Sequence, residues 1–210
     1  MSVEQSFTKI YDEKRWGNSK ETKFFSGRGS HDENIVAPYV KVMVKLIQGR
    51  NQTLLDLGCG DFNVGSKLAP FSKDYIAADI VEKLIIYNSK KFAHLLNTKF
   101  IKLSISEDLW PSADVVILRQ VLQHLSNQEI IKIIPNFYNY KHVIITEAIP
   151  ITEFEANKEN FTGPDIRLSI NSGIVLDLPP FNLKYLNKII LLDVFDERDK
   201  AIIRTVLYEI

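Results

Sequence analysis

One stretch, Thr53-Leu54-Leu55-Asp56-Leu57-Gly58-Cys59-Gly60-Asp61-Phe62, constrains this 210-residue chain more than any other. It reads as a buried strand from Thr53 to Leu57, then a glycine turn, then a helix beginning near Phe62. Gly58 and Gly60 carry no Cβ, so the turn can adopt dihedrals closed to other residues and approach a ligand, while the strand holds Asp56 at the rim. Two nucleotide-type readings compete, and spacing separates them. A dinucleotide fingerprint needs a third glycine at position 63, where Asn63 stands; the next glycine is Gly65. Hydride transfer is therefore disfavoured. An ordinary strand-to-helix turn would account for the glycines but not for the flanking carboxylates Asp56 and Asp61.

The rest of the chain alternates strands and helices around this turn. Val3, Phe7, Ile10 and Tyr11 recur at helical spacing between Ser2 and Lys14, and Trp16-Gly17-Asn18 ends that helix. Ser19 to Ser30, with Ser26-Gly27-Arg28-Gly29-Ser30, is too glycine-rich for regular structure and reads as a lid. Asp32 to Gln48 is a helix with Ile35, Val36, Val40, Val44 and Ile47 on its buried side, ended by Gly49. A second strand, Asp74 to Ala78, delivers Asp79, 23 residues beyond Asp56. That is close to the ~20-residue step at which an acidic side chain meets a ribose in doubly wound folds. A helix over Val81 to Leu96, a strand over Lys99 to Leu103, a strand over Asp114 to Leu118, a helix from Val121 to Ile134 stopped by Pro135, and a strand over His142 to Thr146 follow. The pattern predicts an α/β fold with a parallel sheet and ligands at its carboxyl edge, where Arg119 and Gln120 join Asp56 and Asp79.

Beyond Pro150 the pattern changes. Ile151 to Pro180 has no strong period and reads as an excursion over the site. Tyr185 to Val194 and Ala201 to Ile210 read as an antiparallel hairpin closing one sheet edge. The expected organisation is a single domain, with N-terminal helices and lid over residues 1–50 and a core over 51–210 that includes the excursion 151–180.

Lys and Arg total 26 against 26 for Asp and Glu, so no overall positive field exists to hold a nucleic acid. A small-molecule substrate is expected instead. Cys59 is the only cysteine, which excludes an internal disulfide and a cysteine metal cluster. No apolar run reaches ~18 residues, so neither a membrane span nor a signal peptide is expected, and the location expected is cytoplasmic. His31, His94, His124 and His142 show no metal-ligand spacing, and no metal is expected.

The D-x-G-C-G-D arrangement at Asp56 to Asp61 resembles the cofactor loop of class I S-adenosylmethionine-dependent methyltransferases, and the resemblance covers about residues 53 to 149. It implies a seven-stranded, mostly parallel Rossmann-like sheet whose last two strands form the hairpin. It also implies S-adenosylmethionine as cofactor. Asp56, Gly58, Cys59 and Gly60, with Asp61, would hold the methionyl part, Asp79 and Ile80 the ribose, and Ser104 and Ile105 the adenine. Many relatives have an aspartate where Ser104 stands. Trp16, Arg28, Arg119 and Gln120 complete the expected cofactor set.

A narrower resemblance spans nearly the whole chain. Ile10-Tyr11, Trp16-Gly17, Ser26 to Ser30, Leu55-Asp56 running to Asn63, Arg119 to Ser126 and Leu178 to Phe181 are similar to small bacterial methyltransferases. Some of these are associated with capsule or surface-glycan assembly, including O-methyl phosphoramidate groups. The usual Arg-Asp after the fourth strand is Arg119-Gln120 here. A partial echo of phosphoethanolamine methyltransferases implies that Tyr11 and His124 work as a pair over the substrate, with Gln120 and His124 four apart on one helix.

His124, Tyr11 and Arg119 are thus the candidate catalytic residues. A hydroxyl or ammonium acceptor must lose a proton, for which histidine is suited, whereas an anionic phosphoryl oxygen needs cationic anchors such as Arg28, Arg119 or Arg167. The expected acceptor is an oxygen of a sugar, phosphate or phosphoramidate group. A phosphorylated amine, or a non-catalytic module that only binds the cofactor, are the alternatives.

Overall fold

In the computed structural model, which describes residues 2–210, the glycine-turn strand is β1 (Thr53–Leu57) at the middle of a seven-stranded sheet. The others are β2 (Asp74–Asp79), β3 (Thr98–Lys102), β4 (Val115–Arg119), β5 (His142–Pro150), β6 (Asn187–Asp196) and β7 (Ala201–Glu209). Their order is β3-β2-β1-β4-β5-β7-β6, with β1 to β5 parallel and β7 antiparallel to both β5 and β6. The order reverses between β1 and β4, so the crevice outside the carboxyl ends of these two strands is where such a sheet receives a ligand. Seven strands, mostly parallel, with the C-terminal hairpin and N-terminal helices, are the architecture expected from the sequence.

Alternation along each strand feeds two cores, one on either face. Val116 and Leu118 of β4 join Ile145, Val206, Tyr208 and the helix residues Ile130, Ile133 and Phe137 on one side. Val115 and Ile117 join Leu54, Tyr75, Ile144, Met43 and Phe62 on the other. Burial on both faces explains why β4 reads as a continuous apolar run. The helices are α1 (Val3–Asp12), α2 (Glu33–Ile47), α3 (Gly65–Leu68), α4 (Glu82–Lys91) and α5 (Asn127–Phe137). Ser2 and Gln5 form a capping box at the start of α1, and the Asp32 side chain caps α2.

Six sequence expectations are corrected. The helix after β1 begins at Gly65, because Phe62 takes φ 62° and drops its ring into the second core against Tyr75, Phe92 and Phe100. The buried stripe of α2 runs through Tyr39 and Met43, with Val40 and Val44 only half-buried. The helix after β2 stops at Lys91 rather than Leu96, which is almost fully exposed. The helix expected over Val121 to Ile134 is two pieces, a 3₁₀ turn Leu122–His124 and then α5, whose N-cap Ser126 accepts the N–H of Glu129. Gln120, at φ 55°, lies outside both pieces, so it and His124 do not share a helix. Pro135 sits inside the last turns of α5 instead of ending it.

Candidate functional site

At the switch point a cavity of about 460 Å³ opens, and apart from the candidate anchor Arg167 every residue assigned to the site from the sequence lines it: Tyr11, Trp16, Arg28, Asp56, Gly58, Cys59, Gly60, Asp61, Asp79, Ile80, Ser104, Ile105, Arg119, Gln120 and His124. A volume in this range takes one or two small molecules.

The glycine turn forms the floor. Gly58 and Gly60 both have positive φ, 77° and 57°. A Cβ on Gly58 would lie 2.5 Å from Val121 Cγ2, and one on Gly60 would lie 2.4 Å from Ser26 Oγ. The crowding that demands glycine thus comes from β4's end and from the lid. Gly58 N–H and Cys59 N–H both donate to Ala78 O, and Gly60 N–H to Asp79 Oδ2. Asp61 N–H donates to Ser26 Oγ, Phe62 N–H to Cys59 O and Asn63 N–H to Asp61 Oδ1. Every N–H from Gly58 to Asn63 is thus engaged within the protein, which leaves the turn itself poorly suited to cradle a pyrophosphate and argues against the dinucleotide reading.

What the turn offers is negative charge. Burial pushes the carboxyls of Asp56 and Asp79 up to about 6. Tyr75 Oη donates to Asp56 at 2.8 Å, and the N–H groups of Gly60 and Val81 donate to Asp79, partly opposing the shift. Both carboxylates keep acceptor capacity beyond these bonds. Along the same wall Ser104 Oγ is buried with no partner among the described residues, while its N–H donates to Asp108. Leu103, Ile80, Ile105 and Phe7 make that end apolar. An apolar slot with an orphaned hydroxyl, a strand-end carboxylate beside it, and a glycine turn whose own N–H groups are engaged fit a nucleoside joined to an amino acid, the build of S-adenosylmethionine. Burial also raises the Cys59 thiol well above its ordinary range, so it is no nucleophile.

The lid closes over the turn. Asp61, placed with the cofactor by the sequence, turns its carboxylate to the lid instead: Oδ2 accepts from Ser26 N–H at 2.9 Å and lies 2.6 Å from His31 Nε2. Tyr11 Oη lies 2.8 Å from Ser26 Oγ. Arg28 is held by Asp32, Asp196 and Asp199, which ties the lid to the β6–β7 turn and leaves its guanidinium little to give an anion. Arg119 donates to Gly29 O at 2.6 Å and lies over the Tyr39 ring, with Nε buried and unpartnered.

Arg167, expected as an anion anchor, is not placed to act as one. It is buried, and its guanidinium donates to Lys158 O, Leu122 O, Gln123 O and Asn127 Oδ1. It fastens the excursion to the 3₁₀ turn. Glu147 performs the matching task from below, its carboxylate accepting the N–H groups of Val121, Leu122 and Gln123. Burial pushes Glu147 up to about 7.

Between these two fasteners sits His124. Its ring lies 5.0 Å from Trp16, which in turn meets Tyr11 edge-on at 5.3 Å. Tyr11 and His124 are therefore neighbours through an indole rather than a hydrogen-bonded pair. Burial pushes the imidazole down to about 4, so it is neutral near pH 7. Nδ1 has no partner among the described residues, and Gln123 Nε2 is 3.5 Å from Nε2. Sequence reasoning missed Ser26, Tyr39, Gln123, Glu147 and Asp165 as parts of this site. Ser26 was legible as lid; the others sit in positions only tertiary packing brings together.

Residues 55–137 match the methyltransferase-domain family model. No curated protein matches the chain. Among solved structures, the N-methyltransferase NodS of Bradyrhizobium japonicum, in complex with S-adenosylhomocysteine, is similar at 14% identity and TM-score 0.67, over 95% of this chain and 97% of that one. Magnesium protoporphyrin IX methyltransferase of Synechocystis, also with S-adenosylhomocysteine bound, is similar at 18% identity and TM-score 0.63, over 99% and 97%. Phosphoethanolamine N-methyltransferase 1 of Haemonchus contortus matches at 16% identity and TM-score 0.53, over 70% of this chain. This chain spans only 33% of that enzyme's length. Residues 55–137 thus match a methyltransferase domain, the sheet has the class I fold, and the cofactor that such a domain takes is S-adenosylmethionine.

Proposed function

We propose that the protein transfers the methyl group of S-adenosylmethionine to an oxygen of a small polar acceptor, with a neutral hydroxyl, such as that of a sugar, favoured over a phosphate or phosphoramidate oxygen. The observation that carries this reading is His124, a half-buried imidazole at the cavity wall whose desolvation keeps it uncharged. The cofactor supplies a methyl carbon already activated by its sulfonium, so the protein's task is to position the nucleophile, exclude water and take one proton. His124 accepts that proton at Nε2, beside the Gln123 amide. Trp16 and the excursion around Pro164 close the ring off from solvent, the indole N–H reaching Pro164 O at 3.4 Å. Asp79 receives the ribose hydroxyls, Ser104 the adenine, and Asp56 with the glycine turn the methionyl part.

A pre-ionised phosphoryl oxygen would need free cations instead. Arg28 and Arg167 are committed to carboxylates and carbonyls, which leaves Arg119 as the anchor for that case. The link to capsule or other surface-glycan assembly rests on the resemblance of the lid segment and of Leu178 to Phe181. The test is turnover of S-adenosylmethionine against a panel of sugars, sugar phosphates and phosphorylated amines. Methylation of a hydroxyl acceptor that is lost in His124→Ala supports the reading. Methylation of nitrogen, or tight cofactor binding with no turnover on any acceptor, overturns it.

A further inference from the structure

β6 is the last strand of the sheet, and its outer edge pairs with nothing among the described residues. Ten residues long, it presents a row of free N–H and C=O groups roughly 33 Å in length. Natural sheets blunt such edges with short strands, proline or inward charges, because an open edge templates pairing with another chain. This one is long and free of proline, with one bulge and the charges of Lys188 and its aspartates as its only such devices, and reads Asn-Lys-Ile-Ile-Leu-Leu-Asp-Val-Phe-Asp, preceded by Leu186. Leu186 is 85% exposed, Ile190 51% and Phe195 48%.

We propose that this edge binds the same edge of a second copy, antiparallel about a two-fold axis between Ile190 and Leu191. The sequence is self-complementary about that point. Leu186 meets Phe195 of the other copy, Lys188 meets Asp193, and Ile189 meets Leu192. In a regular strand such pairs would point to opposite faces, since their separations are odd and side chains alternate. The bulge between Ile190 and Leu192 repairs this. Lys188 stands opposite Tyr208 and Asp193 opposite Arg204, so both lie on the face of β7 that carries Tyr208 and Val206. Ile189 and Leu192 lie on the opposite face. In both copies the extra residue, Leu191, sits beside the axis and opposite Ile190 of the other, so the change of face falls at the centre and the register holds on either side of it.

Charge runs the same way. Lys188 is paired with Asp177 in its own chain and Asp193 with Arg204. Across the axis these become a row of alternating sign, Asp177, Lys188, then Asp193 and Arg204 of the second copy, repeated by symmetry. The same strand ends at Asp196, which holds Arg28 of the lid, so the edge also borders the lid's anchor.

Sedimentation of the full chain as a function of concentration tests this. The expected result is a species of twice the chain mass, with Lys188→Asp and Asp193→Lys each weakening it at least tenfold by setting like charges opposite one another. The double variant should recover most of the loss. If these residues served only their own chain, the double variant would break both internal pairs and fall below either single one. A chain that stays monomeric up to about 100 μM, well above the micromolar range of modest complexes, overturns the proposal. So does a dimer indifferent to both single reversals, or a double variant no better than the single ones, with circular dichroism reporting that each variant is folded.

Discussion

Ser26 and Asp61 hold each other reciprocally: the Asp61 N–H donates to Ser26 Oγ at 2.7 Å, and the Ser26 N–H donates to Asp61 Oδ2 at 2.9 Å. One residue belongs to the lid and the other to the glycine turn. These bonds fasten the N-terminal segment to the turn at the cavity, with Tyr11 and His31 as outer supports.

Ser26→Ala leaves the Asp61 N–H without an acceptor and should loosen the lid by ~1 to 3 kcal/mol, the cost of orphaning a buried donor. Hydrogen exchange over residues 19–30 should quicken while that of β1 and β4 stays unchanged. Unaltered exchange in the lid would remove the latch.

Asp79→Ala should weaken S-adenosylmethionine binding by ~1.5 to 3 kcal/mol, the scale of hydrogen bonds to a charged acceptor. A pH dependence follows. With its carboxyl raised by burial to about 6, Asp79 is protonated below that pH and can no longer accept from both ribose hydroxyls. Affinity should therefore fall as pH drops from 7 to 5, with proton release on binding near pH 6. Asp79→Asn should flatten the profile, and titration calorimetry in buffers of different ionisation enthalpy reads both effects.

Gly58→Ala should impair cofactor binding for two separable reasons, a Cβ 2.5 Å from Val121 Cγ2 and a φ of 77°. Adding Val121→Ala relieves only the first, so the double variant should recover part of the affinity. Full recovery would show that the backbone conformation is dispensable.

His124→Ala should lower turnover by ~10² to 10⁴ with cofactor affinity unchanged, as for loss of a general base. Burial lowers the imidazole from 6.5 to about 4, so the acid limb of the rate should lie near pH 4 rather than near 6.5. The stability sign is fixed by the same shift. Below pH 6.5 the unfolded chain takes a proton the folded one refuses, so His124 makes folding progressively less favourable down to about pH 4, by at most roughly 3 kcal/mol. Thermal melts of wild type and His124→Gln should converge at pH 7 and diverge at pH 5, with wild type the less stable there. Full activity in both His124→Ala and Arg119→Ala would move the chemistry elsewhere in the cavity.

By itself the sequence determined the strand order's raw material and the floor of the site. The apolar runs at Thr53 to Leu57 and Val115 to Leu118, the glycines at 58 and 60, and the carboxylate 23 residues beyond Asp56 are local signals, because strand burial, positive φ and strand-end placement are each set by a few neighbouring residues. Tertiary structure alone decided the rest. Phe62 left the helical path because a pocket among Tyr75, Phe92 and Phe100 was there to receive its ring. The helix after β4 broke because Glu147, from another strand, captured three of its N–H groups, and this swung His124 away from Gln120 and under Trp16. Arg28 and Arg167 look alike in sequence as free cations, but a guanidinium's role depends on which acceptors the fold brings to it. Here Asp32 is local to Arg28, but Asp196 and Asp199, like the carbonyls of Leu122 and Lys158 that hold Arg167, come from other parts of the chain and are brought there only by packing.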